Sequence, residues 1–196
     1  MIGLKKGDTL IEVMLAFSLF SMVMIGGITL MNAGISKAQS TLELTMARNA
    51  IDSQAEALRY INSLVSVSGS SSADVNLWNT ITSASSASAS DLSSCPKNKT
   101  SFPTNSFVLG YDSSSRLNIN KSNLNPATTF PRLIWRGEND SNNLANKGTF
   151  AGSEGLWIET VKGSGYYDFH IRACWISPSN TVPTTLGTIV RLYDPR

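Results

Sequence analysis

The sequence contains few of the residues that build metal and catalytic centres. It has one histidine and two cysteines among 196 residues, and no CxxC pair, so the common zinc ligand sets cannot be assembled. The motifs GxSxG, HExxH, GxGxxG and the P-loop are all missing. The sequence therefore predicts neither an enzyme nor a bound cofactor.

The sequence offers two weaker candidate sites. His170 follows Asp168 by two residues, which places both on one face of a strand, but the sequence supplies no nucleophile for such a base. The oxygen-rich loops at residues 112–115 and 137–143 could coordinate calcium, although neither has the EF-hand spacing. We expect an ordinary surface or half-buried histidine and metal-free loops.

The chain also lacks an excess of charge. It carries 16 basic and 14 acidic residues, and Lys5 and Lys6 account for both units of the net charge of +2. The chain from Asp8 onward is therefore neutral overall, with 14 basic and 14 acidic residues. Nucleic-acid binding would need a basic patch, so no nucleic-acid partner is evident.

The two cysteines, Cys95 and Cys174, lie far apart in the chain. If this part of the protein lies outside the cytoplasm, a disulfide between them is the natural interpretation. It would close a loop of about 80 residues, worth roughly 4 kcal/mol in the chain-entropy model. The alternative is two buried free thiols.

A long apolar run begins after Glu12. No charged side chain lies in residues 13–36, and residues 10–31 would form a helix of about 33 Å, which matches a hydrocarbon core of about 30 Å. The preceding Lys5 and Lys6 favour a cytoplasmic N-terminus. A secretory signal peptide fits poorly, because its apolar core would span only about 7–15 residues. A plain membrane anchor fits the length but gives Glu12 no role, although a carboxylate in a membrane helix costs on the order of 2–3 kcal/mol.

Residues 5–13, KKGDTLIEV, offer a role for Glu12. They resemble the class III signal of type IV pilins and pseudopilins, in which a short basic leader ends in glycine and the following segment opens a long helix. The resemblance implies that a prepilin peptidase cleaves between Gly7 and Asp8 on the cytoplasmic side of the membrane. It also implies that Glu12 pairs with the new α-amine of a neighbouring subunit, because an unpaired carboxylate in apolar surroundings is disfavoured.

Asp8 departs from the pattern of that family, which usually has an N-methylated phenylalanine at the first mature position. Its carboxylate could partly neutralise its own amine and compete with Glu12, and it weakens the expectation of methylation. We interpret Asp8 as the mark of a minor, specialised subunit, and the alternative is neutral variation.

The helix is expected to continue well beyond the apolar run, since no proline occurs before Pro96. Residues 8–36 form its membrane or filament-core part and residues 37–65 an amphipathic part. Gly26 and Gly27 interrupt the first part, either for close helix packing or as a point that unwinds during assembly. The amphipathic part has an apolar and a polar face, made respectively of Leu44, Ala47, Ile51, Ala55, Leu58, Ile61 and Val65, and of Glu43, Arg48, Asp52, Glu56 and Arg59.

The remaining sequence divides into a serine-rich loop and a region of strands. Residues 66–95 are expected to form an exposed connection, from which one short turn near Trp78 could dock on the body. Residues 96–196 should form an antiparallel meander, with Cys95 and Cys174 joining the connection to it. The strand candidates are residues 106–111, 116–120, 132–136, 156–162, 166–176 and 188–193. The fold class is therefore α+β, pilin-like, with a long N-terminal helix packed on an antiparallel β-sheet.

Three kinds of function follow from these features. The leading hypothesis is a minor type IV pilin or pseudopilin, anchored by a single helix and then assembled into a cell-surface or periplasmic filament. Its partners would be other pilin subunits, the prepilin peptidase, the inner-membrane assembly platform and the membrane itself. The alternative is a membrane-anchored extracytoplasmic binding or sensor module that does not polymerise, in which Glu12 would be dispensable. An exported enzyme ranks last.

Overall fold

The structure is a computed structural model that describes residues 8–67, 70–91, 94–112, 116–136, 150–177 and 182–195. The helices in this part of the chain are α1 (Asp8–Ser66), α2 (Ser72–Ser83) and a short 3-10 helix (Lys99–Ser101). The strands are β1 (Val108–Tyr111), β2 (Leu117–Asn120), β3 (Leu124–Asn125), β4 (Arg132–Trp135), β5 (Phe150–Glu154), β6 (Leu156–Lys162), β7 (Tyr166–Trp175) and β8 (Thr184–Tyr193). The chain divides into two compact units, Met1–Leu42 and Glu43–Arg196.

Helix α1 runs through 59 residues without a break, as the absence of proline predicts. Residues 8–42 of the helix belong to the first unit and expose their apolar side chains. Residues 43–66 belong to the second unit and bury the expected apolar face, including Ala47, Ile51, Leu58 and Ile61. The 3.6-residue period thus gives the second part a stripe that packs in the core of its own unit.

One residue of the predicted polar face lies elsewhere. Glu43 is buried, at 5% exposure, and its Oε2 accepts a hydrogen bond from Trp175 Nε1 at 3.2 Å. The reason is helical geometry: Glu43 lies four residues before Ala47 and so falls on the apolar face. The other members of the polar face, Arg48, Asp52, Glu56 and Arg59, are exposed as predicted.

The serine-rich connection contains a helix where we expected a loop with one short turn. Helix α2 has 12 residues, and its N-cap Ser71 accepts a hydrogen bond from the backbone N–H of Asp74. Trp78 and Ile81, one turn apart, are fully buried. The Trp78 and Tyr167 rings are perpendicular and form an edge-to-face contact at a centroid distance of 5.9 Å. Burial of this apolar pair outweighs the weak helix propensity of the surrounding serines.

The strands form three sheets. The sheet β6-β7-β8 is the antiparallel meander that the sequence predicts, and β1 and β2 form an antiparallel hairpin. The third sheet, β3-β5-β4, is mixed, because β3 runs parallel to β5. The sequence did not predict β3 and β5, since β3 has only two residues and β5 contains Gly152. A side chain at Gly152 would collide with the Asn123 carbonyl, so β5 needs glycine there.

Strand β7 lies in the centre of the meander and shows the alternation that was expected. Tyr167, Phe169, Ile171 and Ala173 are buried in the core, while the intervening residues from Tyr166 to Arg172 are half-buried on the other face. Hydrogen bonds join the second part of α1 to the strands: Gln54 and Asn62 donate to carbonyls of β1 and β8, and Glu43 accepts from Trp175 of β7. The fold class is therefore α+β, with a long, apolar N-terminal helix whose second part packs on antiparallel strands.

Candidate functional site

The first candidate site is the apolar surface of α1 in the first unit. Large side chains along it are exposed, including Phe17 at 71%, Met22 at 75% and Leu30 at 76%. Helix α1 is long and apolar enough to cross a membrane, and none of the residues in its most apolar 18-residue stretch is buried. Such a surface is unfavourable in water and is stable when lipid or other helices cover it.

Polar side chains within this surface have their hydrogen bonds satisfied by the helix itself. The hydroxyls of Ser18, Ser21 and Thr29 donate to the backbone carbonyls of Leu15, Phe17 and Ile25, each at 2.8 Å. A hydroxyl that bonds the preceding turn leaves no unsatisfied donor toward lipid. These three residues are therefore compatible with an apolar environment on every side.

The glycine pair Gly26 and Gly27 is not required by any contact within the described chain. A Cβ built at either residue would meet nothing within 4 Å, although glycine weakens a helix by about 1 kcal/mol relative to alanine. The helix nevertheless continues through both residues. Both interpretations of the pair, close packing against another helix and a point of unwinding, remain compatible with this geometry.

Glu12 lies at the head of the apolar surface, one turn after α1 begins at Asp8. Its side chain is exposed, and no described residue forms a hydrogen bond or an ion pair with its carboxylate. Gly7 lies outside the described residues. The described part of the chain therefore offers the Glu12 carboxylate no charge to neutralise it in an apolar environment.

The second feature is the disulfide between Cys95 and Cys174, at the pairing that the sequence predicts. Cys174 is buried in β7, 79 residues after Cys95, and its backbone N–H donates to the Gly155 carbonyl. A bridge over this separation stabilises the fold by roughly 4 kcal/mol in the chain-entropy model. It fixes the end of the serine-rich connection to the central strand of the meander.

Hydrogen bonds that the sequence did not predict also hold the serine-rich connection. Arg172 Nη1 donates to the Ser90 carbonyl at 2.6 Å, and the Ser90 N–H donates to Glu159 Oε2 at 2.8 Å. Upstream, the Ser86 N–H donates to the Thr160 carbonyl at 2.9 Å. The connection is therefore attached at several points to β6 and β7. Its serine-rich composition does not indicate which residues of these strands it bonds.

The candidate base His170 is not paired with Asp168. Both oxygens of the Asp168 carboxylate accept hydrogen bonds from Arg191, at 2.8 Å each, and these bonds lower the pKa of Asp168. Burial and the Arg172 guanidinium lower the pKa of His170, against the opposing effect of Glu159 and Asp168. Asp168 therefore forms a structural ion pair with Arg191 between β7 and β8, and its position on the same face as His170 needs no catalytic explanation.

Most residues of the two candidate calcium loops fall outside the part of the chain that the structure describes. Residues 137–143 and 113–115 lie outside the described residues. Asp112 forms a turn, in which its Oδ1 accepts a hydrogen bond from the Arg116 N–H at 2.9 Å. Within the described ranges, no group of three or more His, Cys, Asp or Glu residues is placed to hold a metal ion.

Comparison of the chain with protein-family models, with curated proteins and with solved structures finds no match. The geometry therefore carries the functional argument. It defines a long apolar N-terminal helix that could span a membrane, followed by a disulfide-bonded α+β unit, which is consistent with a pilin-like architecture.

Proposed function

We propose that this protein is a minor type IV pilin or pseudopilin, cleaved by a prepilin peptidase after Gly7 and assembled into an extracytoplasmic filament. The observation that carries the proposal is Glu12, a carboxylate without a described partner at the head of an exposed and otherwise uncharged helical surface. The filament would serve adhesion, motility, DNA uptake or secretion.

The pairing of Glu12 follows from electrostatics. Cleavage after Gly7 creates a positive α-amine on Asp8, and a Glu12 carboxylate of the neighbouring subunit can approach it. Attraction between two unit charges is much stronger in apolar surroundings than in water, whereas an unpaired charge there is costly. One carboxylate can thus recruit a subunit and fix its axial position. The Asp8 carboxylate competes for the same amine, which suits a minor subunit better than the bulk component.

The apolar surface supports the same proposal. Before assembly, lipid would cover it, with the N-terminus in the cytoplasm because Lys5 and Lys6 precede it. After assembly, the corresponding helices of other subunits would replace the lipid. The internally bonded hydroxyls and the small Gly26 and Gly27 suit both environments.

The second unit would lie outside the cytoplasm. The disulfide between Cys95 and Cys174 supports this location, since disulfides persist in oxidising compartments. Nearly balanced charge in this unit gives no reason to propose direct DNA capture. We therefore propose that its partners are other pilin subunits, the peptidase, the assembly platform and the membrane.

A charge-removing variant tests the role of Glu12. Glu12→Gln should be inserted and cleaved as in the wild type, yet be absent from filaments sheared from cells that contain a prepilin peptidase and an assembly system. The matched control is Glu56→Gln, which removes an exposed carboxylate from the second part of α1. Normal incorporation of Glu12→Gln would contradict the proposal and favour the membrane-anchored module that does not polymerise.

A further inference from the structure

Three asparagines in the sequence begin the tripeptide Asn-x-Ser/Thr with a middle residue other than proline: Asn98, Asn120 and Asn139. In proteins outside the cytoplasm, this tripeptide is the acceptor for N-linked glycans, although it also occurs by chance. Asn139 lies outside the described residues. The structure describes the other two asparagines, and their side-chain amides differ in what they bind.

Asn98 is exposed and lies in the loop between the disulfide and the short 3-10 helix. Its Oδ1 accepts a hydrogen bond from the Thr100 hydroxyl at 2.9 Å, and its Nδ2 has no partner among the described residues. The backbone is held by Ser101: the Asn98 N–H donates to Ser101 Oγ at 3.0 Å, and the Asn98 carbonyl accepts from the Ser101 N–H at 3.2 Å. The nitrogen that would carry a glycan is therefore accessible, while the backbone around it is fixed.

The contact between Asn98 and Thr100 has a chemical consequence. An amide nitrogen is a poor nucleophile, because its lone pair is delocalised into the carbonyl group. A hydroxyl that donates to the amide oxygen polarises the amide and makes its N–H groups more acidic, which favours loss of a proton when the nitrogen forms a new bond. The hydroxyl and the amide of the tripeptide are already in contact in the folded chain.

Asn120 is half-buried in β2, and both ends of its amide are occupied. Its Nδ2 donates to the Ala151 carbonyl of β5 at 2.8 Å, and its Oδ1 accepts from the N–H groups of Ser122 and Asn123 at 3.1 and 3.0 Å. A sugar on this nitrogen would have to enter the contact between β2 and β5. The folded structure therefore favours Asn98 over Asn120 as an acceptor.

An open hollow beside Asn98, with a volume of about 450 Å³, offers space for the first sugar of a glycan. Its lining includes the polar residues Asp91, Ser94, Lys97 and Ser101. Carboxylate, hydroxyl and ammonium groups can all form hydrogen bonds with the hydroxyls of a sugar. A glycan on Asn98 would therefore lie against the end of the serine-rich connection, next to the disulfide.

We propose that Asn98 is an N-glycosylation site. In the reaction, Asn98 Nδ2 forms a bond to C1 of the first sugar of a glycan carried on a lipid pyrophosphate. The bond between C1 and the pyrophosphate oxygen breaks, the lipid pyrophosphate leaves with the electron pair, and one amide proton passes to a base of the transferring enzyme. That enzyme would be a membrane glycosyltransferase whose active site opens outside the cytoplasm. The site rests on the extracytoplasmic location of the second unit in the proposed function, but it does not require filament assembly.

Mass spectrometry of the full chain tests this site, with the protein purified in a non-ionic detergent from the membranes of the cells that produce it. Chymotryptic peptides fragmented by electron transfer keep a glycan attached to its asparagine and so locate it. We expect a glycan on Asn98 and none on Asn120. A glycan on Asn120 with Asn98 unmodified would overturn the proposal.

The oxidation state of the cysteines separates two kinds of failure, because disulfides persist in oxidising compartments. An unmodified Asn98 in a chain that contains the bridge between Cys95 and Cys174 would overturn the glycosylation site alone. An unmodified Asn98 in a chain with two free thiols would overturn the site and contradict the extracytoplasmic location as well.

A matched pair of variants assigns the modification to one tripeptide. Thr100→Ala and Ser122→Ala each remove one hydroxyl, the first from the tripeptide of Asn98 and the second from that of Asn120. Thr100→Ala should abolish the glycan on Asn98, Thr100→Ser should retain it, and Ser122→Ala should leave it unchanged.

Both substituted residues are exposed, so neither alanine variant should alter the unfolding midpoint, and any loss of the glycan is then separate from folding. A glycan that persists on Asn98 in Thr100→Ala, or one that is lost in Ser122→Ala, would overturn the proposal.

Discussion

One amide side chain, Gln54, joins helix α1 to strand β1 through two hydrogen bonds with the backbone of Leu109. Gln54 Nε2 donates to the Leu109 carbonyl at 2.9 Å, and the Leu109 N–H donates to Gln54 Oε1 at 2.8 Å. Both residues are buried, at 2% and 1% exposure. The side chain thus satisfies the backbone of Leu109 in the way that a neighbouring strand would.

Replacement of Gln54 by leucine should destabilise the second unit. The N–H and the carbonyl of Leu109 would both lose their partner in a buried place, and one unsatisfied group costs about 1–3 kcal/mol. Denaturant unfolding of the full chain in a non-ionic detergent, followed by tryptophan fluorescence, measures the change. The control is Ser53→Ala, an exposed neighbour whose hydroxyl donates to the Ala50 carbonyl within the same helix. Equal stability of the two variants would contradict the role of Gln54.

Loss of the disulfide should have an effect of similar size. Replacing both Cys95 and Cys174 by serine should lower the free energy of unfolding by about 2–5 kcal/mol, because the unfolded chain regains the freedom of a loop that spans 79 residues. Reduction of the wild-type protein should lower the midpoint by a similar amount and leave the double variant unaffected. An unchanged midpoint on reduction would contradict a stabilising bridge.

Stability should depend on pH through His170. Its pKa in the folded protein is lowered below the ordinary value of 6.5, mainly by burial and then by Arg172. A proton therefore binds His170 more tightly in the unfolded chain than in the folded protein. Above about pH 6.5, His170 is neutral in both states and its contribution to folding stability is fully present. That contribution is lost as the pH falls from there through the lower pKa of His170 in the folded protein. His170→Gln should flatten the stability curve in that window.

The titration can be observed directly, because His170 is the only histidine in the sequence. The imidazole resonances in the NMR spectrum of the folded chain should shift with a midpoint below pH 6.5. A midpoint at or above that value would contradict the combined effect of burial and Arg172.

The glycine pair offers a prediction that separates assembly from folding. Replacing Gly26 and Gly27 by alanine creates no clash within the described chain, so the stability of the second unit should not change. If the pair serves packing between subunits or unwinding, the variant should enter filaments less efficiently. The control is Gly34→Ala, where a Cβ also meets nothing within 4 Å. Equal incorporation of the two variants would remove both roles proposed for the pair.

Sequence patterns predicted the long elements well because each rests on a local signal. Helix α1 follows from the absence of proline and from a regular stripe that includes Ile51 and Leu58, and β7 follows from strict alternation. Helix α2 was missed because serine dominates its surroundings and only Trp78 and Ile81 mark its buried face. The two-residue strand β3 is defined by its neighbour β5 and has no period of its own.

The buried polar contacts were harder to foresee, since their partners are distant in sequence. Glu43 and Gln54 both lie on the apolar face of α1, and this position could have marked them as buried. Their partners Trp175 and Leu109 could not be identified, because sheet register decides them. The roles of Glu12 and Gly7 are predictions of another kind, because they come from the sequence motif. They concern contacts with other subunits and with a peptidase.

Mass spectrometry of the mature N-terminus is the most direct test of the central claim. The full chain is expressed with and without a prepilin peptidase, and the membrane fraction is examined in each case. The proposed function predicts a chain that begins at Asp8 only when the peptidase is present. A chain that keeps Met1 in the presence of the peptidase, or one that begins near Ala33, would contradict it.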